Sequence, residues 1–379
     1  MKSIEANLPA GGRVRLFVRD GRFEAVEKLG PEAPDLPFAA PGFVDLQLNG
    51  YAGVNFSDPT VSPEAAADVL TALWRTGVTR FCPTLVSQSV EGLTSCFRNL
   101  ESLRRALPEF AVCAPCYHLE GPFLSNGPSA GAHRPEFMRD PAWSLFAPLQ
   151  EAAGGRIALL TLAPERAGAE AFTRQAVKAG VRIALSHTDG TPGEVHRLAA
   201  AGASMNTHLG NGCPQLLDRH EAPFWAQLAD DRLLAGLICD GFHLAPDMIR
   251  VILKVKGLER CILVSDAVHA GGLPPGPYDL LGKPIELLPS GQVVTADRRS
   301  MAGSALTMDR AVAHFRAVTG LSLGEALGPA TTVPAAYLPG LGAPAAIAPG
   351  EPADFVLFRE SEGHLRVEQT YLSGRRVFE

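Results

Sequence analysis

Residues 156–210 read RIALLTLAPERAGAEAFTRQAVKAGVRIALSHTDGTPGEVHRLAAAGASMNTHLG, and this stretch decides the fold. Apolar runs at 156–162, 181–186 and 203–208 alternate with segments of helical pattern, the signature of parallel strands joined by crossover helices. Working outward, further runs lie at 42–48 (GFVDLQL), 78–86 (VTRFCPTLV) and 111–119 (AVCAPCYHL), and then at 233–239 (LLAGLIC) and 260–265 (RCILVS). Eight such units predict an α/β chain closed into a (β/α)8 TIM barrel, because eight strands close around an interior that side chains fill. A doubly wound open sheet is the alternative. The two ends of the chain differ from this middle. Residues 13–18 and 22–26, like 354–358 and 369–372, alternate as short strands between turn signals. The expected organisation is therefore a small β-sandwich domain from residues 1–40 and 345–379, with the barrel spanning residues 41–344.

Composition bounds the function. With 379 residues, 46% hydrophobic and 20% charged, the chain is long enough for a large core, and 38 glycines and 31 prolines fall short of a disordered composition. A net charge of −6 offers no excess to neutralise phosphates, which argues against a nucleic-acid partner. No run of about 18 apolar residues predicts a membrane span, and the first residues lack the apolar run of a signal peptide. The expectation is a soluble, cytoplasmic protein with no membrane partner. Seven cysteines, an odd number, read as reduced thiols, and the Cys113–Cys116 CxxC lacks the second pair that a four-sulfur metal site needs.

Catalytic groups in TIM barrels come from the C-terminal ends of the strands, and that is where the polar residues of this sequence fall. Asp45, Gln47 and Asn49 end the first run, and His118 and Glu120 the third. His187 follows the fifth, His208 the sixth, Asp240 and His243 the seventh, and Asp266 the eighth. Crowding such groups into one mouth is costly unless a cation compensates them. Glu120, His187 and His208 make a His₂Glu set that suits one divalent metal with a position left for water, zinc first and iron, cobalt or manganese next. Asp266 is the candidate general acid/base. His118, two residues before Glu120 and on the same side of its strand, is expected behind the ligands and not among them.

At these residues the sequence resembles the amidohydrolase superfamily, and within it the N-acetylglucosamine-6-phosphate deacetylase family. The stretches that carry the resemblance are PGFVDLQLNG (41–50), HLEGPFL (118–124), GAH (131–133), SHT (186–188), NTHL (206–209), DGFH (240–243), SDA (265–267) and MAGSALTM (301–308). It implies metal-dependent deacetylation of an N-acetyl amino sugar, most directly N-acetylglucosamine 6-phosphate, by a metal-activated water with Asp266 as acid/base. It assigns substrate contacts to Ala132, His133, Asn211, Gly212, His243, Met301, Ala302 and Gly303, and a phosphate contact to Arg219 that reaches across a homodimer.

Two departures from the family pattern matter. Gln47 and Asn49 stand where the wider superfamily has paired histidines, and no lysine ends the fourth run. One metal is therefore expected, with Gln47 and Asn49 as hydrogen-bonding groups beside it. After His208 the run Leu209-Gly210-Asn211-Gly212-Cys213-Pro214 also departs, and the loop that follows looks longer than usual. A different or unphosphorylated N-acetyl sugar stays open on that ground. Cyclic-amide opening or deamination by the same water, and a barrel that has lost its chemistry and serves in assembly, are the competing functions.

Overall fold

In the computed structural model, residues 2–379 are described. Eight parallel strands follow one another in chain order: Phe43–Leu48, Val78–Val86, Tyr117–Glu120, Ile157–Leu162, Arg182–Leu185, Met205–Asn206, Leu234–Leu237 and Cys261–Leu263. The barrel closes between its first and last strands through the Leu48–Ala267 bridge. There the Asp266 amide donates to the Gln47 carbonyl at 2.9 Å, and the Asn49 amide to the Ala267 carbonyl at 2.9 Å. This seam nearly closes the sheet and places Gln47, Asn49 and Asp266 side by side.

The strands are buried on both faces, as the unbroken apolar runs require; every residue of Phe43–Leu48 is buried. Helices begin where the sequence supplies caps. Ser62 and Ser89 accept from the backbone at the starts of Pro63–Trp74 and Val90–Ala106, and Thr191 with Glu194 forms a reciprocal capping box on Pro192–Ala201. The third run needs correction. Residues 111–113 belong to a helix, Pro108–Cys113, and only Tyr117–Glu120 is strand. Proline at the first turn starts that helix, and Phe110 and Cys113, three apart, bury one face of it. An apolar run alone does not separate such a helix from a strand.

The chain ends build one seven-stranded sheet, in the spatial order Arg375–Phe378, His364–Leu372, Phe355–Ser361, Phe38–Pro41, Lys2–Asn7, Arg13–Arg19 and Arg22–Gly30. Phe38–Pro41 joins the two halves, parallel to Lys2–Asn7 and antiparallel to Phe355–Ser361. This sheet has its own apolar cluster, in which Phe355 stacks on Tyr371 with ring centres 4.3 Å apart and meets Phe23 at 5.4 Å. A buried ion pair ties it to the barrel: Arg80 of the second barrel strand meets Asp354 at 2.6 Å, with side-chain exposures of 6% and 0%. Arg80 also donates to the carbonyls of Leu341 and Thr79.

An element absent from the sequence reading follows the eighth strand. Gly276–Leu280, Lys283–Leu287 and Val293–Thr295 form a three-stranded antiparallel sheet. Ile285, Leu287 and Val293 of this sheet pack on Val268, Ala270 and Ala302, beside the barrel mouth. No helix of the described residues is long and apolar enough to cross a membrane.

Removing one member of a fully buried ion pair leaves an uncompensated charge. Asp354→Ala is expected to lower the free energy of unfolding by about 3–5 kcal/mol, and Arg80→Met with Asp354→Leu to recover most of that loss. Urea denaturation of the three proteins reads the result.

Candidate active site

Glu120, His187 and His208 reach one point from the ends of the third, fifth and sixth strands. His208 Nε2 lies 2.9 Å and His187 Nε2 3.5 Å from the same oxygen, Glu120 Oε1. All three ligand atoms fall within 4.8 Å of one another, and among the described residues this is the one such group. The backbone makes the approach by bending sharply at the strand ends. His187, His208 and Asp266 all adopt the left-handed region, with φ of 47°, 34° and 50°, a conformation that is uncommon outside glycine and clusters at functional sites. Gly212 (φ +61°) packs against the His208 ring and the His187 backbone. A Cβ there would lie 2.7 Å from Ser186 Oγ and 3.0 Å from His208 Cε1.

The donor set fits a cation. His187 Nδ1 donates to the Ser129 carbonyl at 2.9 Å, and Nε2 is the ring nitrogen turned to Glu120. Two imidazole nitrogens and a carboxylate oxygen, all buried, then face one another, which is favourable only with positive charge between them. Protons show the same demand: burial opposes ionisation, yet the two imidazoles hold the Glu120 carboxyl well below the usual range. Burial also opposes the charged form of His208, but the contact with Glu120 raises it to about 9.

Gln47 and Asn49 bind the acids by their amide hydrogens. Gln47 Nε2 bridges Glu120 Oε2 and Asp266 Oδ1, 3.0 Å from each, and Asn49 Nδ2 donates to Asp266 Oδ1 at 2.7 Å. Oδ2 of Asp266 has no partner among the described residues. Burial and the charge on Glu120 push Asp266 up to about 6, against the pull of His208 and Asn49. His118 is fully buried and bonds to Thr161 Oγ1 at 2.8 Å and Thr84 Oγ1 at 3.4 Å, inside the barrel, with no bond to the triad. Burial lowers it to about 4, so it is neutral.

A cavity of about 590 Å³ opens over the triad. Ala132, His133, Asn211, Gly212, His243, Met301 and Gly303 line it, together with Asn49, Glu120 and Asp266. Ala302 instead turns into the apolar cluster beneath the inserted sheet. Arg219 is exposed on the loop after Pro214 and is not among the residues lining this cavity. The Asp240 carboxylate accepts from His243 Nδ1 at 2.7 Å, leaving Nε2 as the other ring nitrogen. His133 packs edge-on against His187, with ring centres 4.5 Å apart. Burial and the neighbouring His187 bring His133 down to about 3. Asn49 Oδ1 and Asn211 Nδ2 are buried without partners, one acceptor and one donor on residues that line the cavity.

Several groups escaped the sequence reading. Asp189 accepts from the hydroxyls of Ser125 and Ser129 and so fixes the carbonyl that orients His187. Asp45 appeared there as a strand-end carboxylate without a role. It accepts from Ser265 Oγ at 2.5 Å and from the amides of Ser265 and Gln47, bracing both sides of the barrel closure. Only the inserted sheet left a local trace, in the alternation around Leu281-Gly282.

Burial pushes Asp45 up to about 7 against the hydrogen bonds from Ser265 and Gln47. A carboxyl raised in the folded state favours folding below its unfolded pKa near 3.8, and that contribution is lost as pH rises through about 7. Asp45→Asn can keep all three contacts, with Ser265 Oγ turning its hydrogen to the Gln47 carbonyl 3.2 Å away. Relative to the parent, this variant is expected to gain about 2–3 kcal/mol of stability between pH 5 and pH 8. A pH-independent difference in denaturation midpoint contradicts it.

Comparison with known proteins agrees over nearly the whole chain. The amidohydrolase family model matches residues 38–377. An N-acetylglucosamine-6-phosphate deacetylase of Danio rerio is 32% identical over 96% of this chain and 92% of its own. An N-acetylgalactosamine-6-phosphate deacetylase of Escherichia coli O157:H7 is 28% identical over 95% and 94%. Among solved structures, an alanine-for-aspartate variant of N-acetyl-D-glucosamine-6-phosphate deacetylase from Mycobacterium smegmatis, in complex with N-acetyl-D-glucosamine-6-phosphate, superposes with a TM-score of 0.88 at 31% identity, covering all of both chains. A barrel with a His₂Glu triad at its mouth and relatives matched end to end make this chain a member of the amidohydrolase family, in its N-acetylglucosamine-6-phosphate deacetylase branch.

Proposed function

We propose that the protein hydrolyses the acetamido group of N-acetylglucosamine 6-phosphate to acetate and glucosamine 6-phosphate. The observation that carries this reading is the convergence of the Glu120–His187–His208 triad with a second acid, Asp266, which Gln47 Nε2 links to Glu120. We assign the triad to one divalent cation, zinc first. Such an ion lowers the pKa of a coordinated water to about 7 and polarises a carbonyl.

The chain's own groups do the rest. Gln47 and Asn49 occupy Asp266 Oδ1, so proton transfer falls to Oδ2. With its pKa raised to about 6, Asp266 is matched to taking a proton near neutrality and giving it up again. Water adds to the acetyl carbonyl carbon as Asp266 accepts its proton. The C–N bond then breaks as Asp266 delivers that proton to nitrogen. Asp240 holds the His243 ring so that Nε2 is the atom left for the substrate. Asn211, Gly212, Ala132, His133, Met301 and Gly303 form the sugar-facing wall. Arg219, exposed on its loop, is assigned to the phosphate of a substrate bound in a second copy, which makes the working form a homodimer in the cytoplasm.

Acetate release is to be measured from N-acetylglucosamine with and without the 6-phosphate. Asp266→Asn is expected to lower kcat by about 10²–10⁴-fold while the protein still binds its metal. Arg219→Ala should raise KM for the phosphorylated sugar and leave the other unchanged. Release from neither sugar by the metal-loaded parent overturns the reading.

A further inference from the structure

The loop that carries Ala132 and His133 is held from two sides. At its start, Asp189 binds Ser125 and Ser129, and the Ser129 carbonyl meets His187. Its far end is held by the inserted sheet. Lys283 Nζ donates to the Ala132 carbonyl at 2.7 Å and to the His133 carbonyl at 3.2 Å. Ala132 packs against the apolar cluster under that sheet, and Arg134 Nη1 reaches the Leu281 carbonyl at 3.5 Å.

Lys283 differs from the other cations that line the cavity. Arg134 is paired with Glu136 at 2.6 Å and Arg298 with Glu286 at 2.8 Å, and Arg299 lies 4.0 Å from Asp297. The Lys283 ammonium has no carboxylate partner among the described residues; two backbone carbonyls take its place. An ammonium withdrawn from water toward neutral carbonyls forms charge-assisted hydrogen bonds stronger than neutral ones. Its third hydrogen stays free, and the residue lines the cavity.

We propose that Lys283 is a positioning residue for substrate. By fastening the Ala132 and His133 carbonyls to the inserted sheet, it holds His133 against His187 and fixes the wall that closes over the sugar. The inserted sheet thus sets affinity for the N-acetyl sugar, while the barrel sets the chemistry. The proposal rests on the deacetylase reading in taking Ala132 and His133 as that wall.

The test combines acetate kinetics with hydrogen–deuterium exchange of residues 126–138 in the parent, Lys283→Met and Lys283→Arg. Methionine keeps an aliphatic stem and removes the donors; arginine keeps donors and charge. Lys283→Met is expected to raise KM about 10-fold with kcat within about 3-fold, and to speed exchange in the loop about 10-fold. Lys283→Arg should return both toward the parent. Unchanged KM and exchange in Lys283→Met, or a loss confined to kcat, overturns the proposal. A parent that releases no acetate overturns the deacetylase reading instead, and the exchange comparison then decides by itself whether Lys283 latches the loop.

Discussion

Two imidazole nitrogens and one carboxylate oxygen, buried within 4.8 Å of each other, cannot share that space without a positive charge among them. Much of the barrel mouth serves this constraint. His187 and His208 reach the shared point from left-handed residues at their strand ends, and Asp266 beside them is left-handed too. Asp189 and Ser129 fix which nitrogen of His187 faces inward. Gln47 uses its amide hydrogens to keep Glu120 and Asp266 apart yet adjacent. Its orientation leaves Oε1 buried and unpartnered, a cost accepted to hold two acids in place.

The barrel closure and the placing of Asp266 are one construction. Asp266 follows the eighth strand and Gln47 ends the first, and the backbone bond between them is part of the seam. Asp45 and Ser265 lie directly behind it, in fully buried contact. Displacing the seam would therefore move the acid relative to the triad. The inserted sheet is attached from outside this framework, whereas the Ala132–His133 loop is tied to it through the Ser129 carbonyl on His187.

Much of this was legible in the sequence because strand burial and chemistry share one signal. Glu120, His187, His208 and Asp266 each end or follow an apolar run, and a polar residue at that place in a parallel barrel faces the mouth. The third run was misread over residues 111–113 because a short buried helix and a buried strand present the same apolar residues. The latch of Lys283 on carbonyls about 150 positions away has no local trace, nor does the Ser129 carbonyl, which any residue would supply. Asp189 and Asp45 read as ordinary polar residues because the hydroxyls they bind lie 60 or more positions away. The loop bearing Arg219 is exposed, so neither burial nor periodicity locates the atom that arginine touches.

Calorimetric titration of metal-stripped protein with zinc tests the central claim most directly, run in parallel on the parent and on Glu120→Gln. One equivalent bound per chain, weakened about 100-fold or more by the substitution, is the expected result. Two equivalents per chain, or equal affinity in the Glu120→Gln protein, would contradict the account.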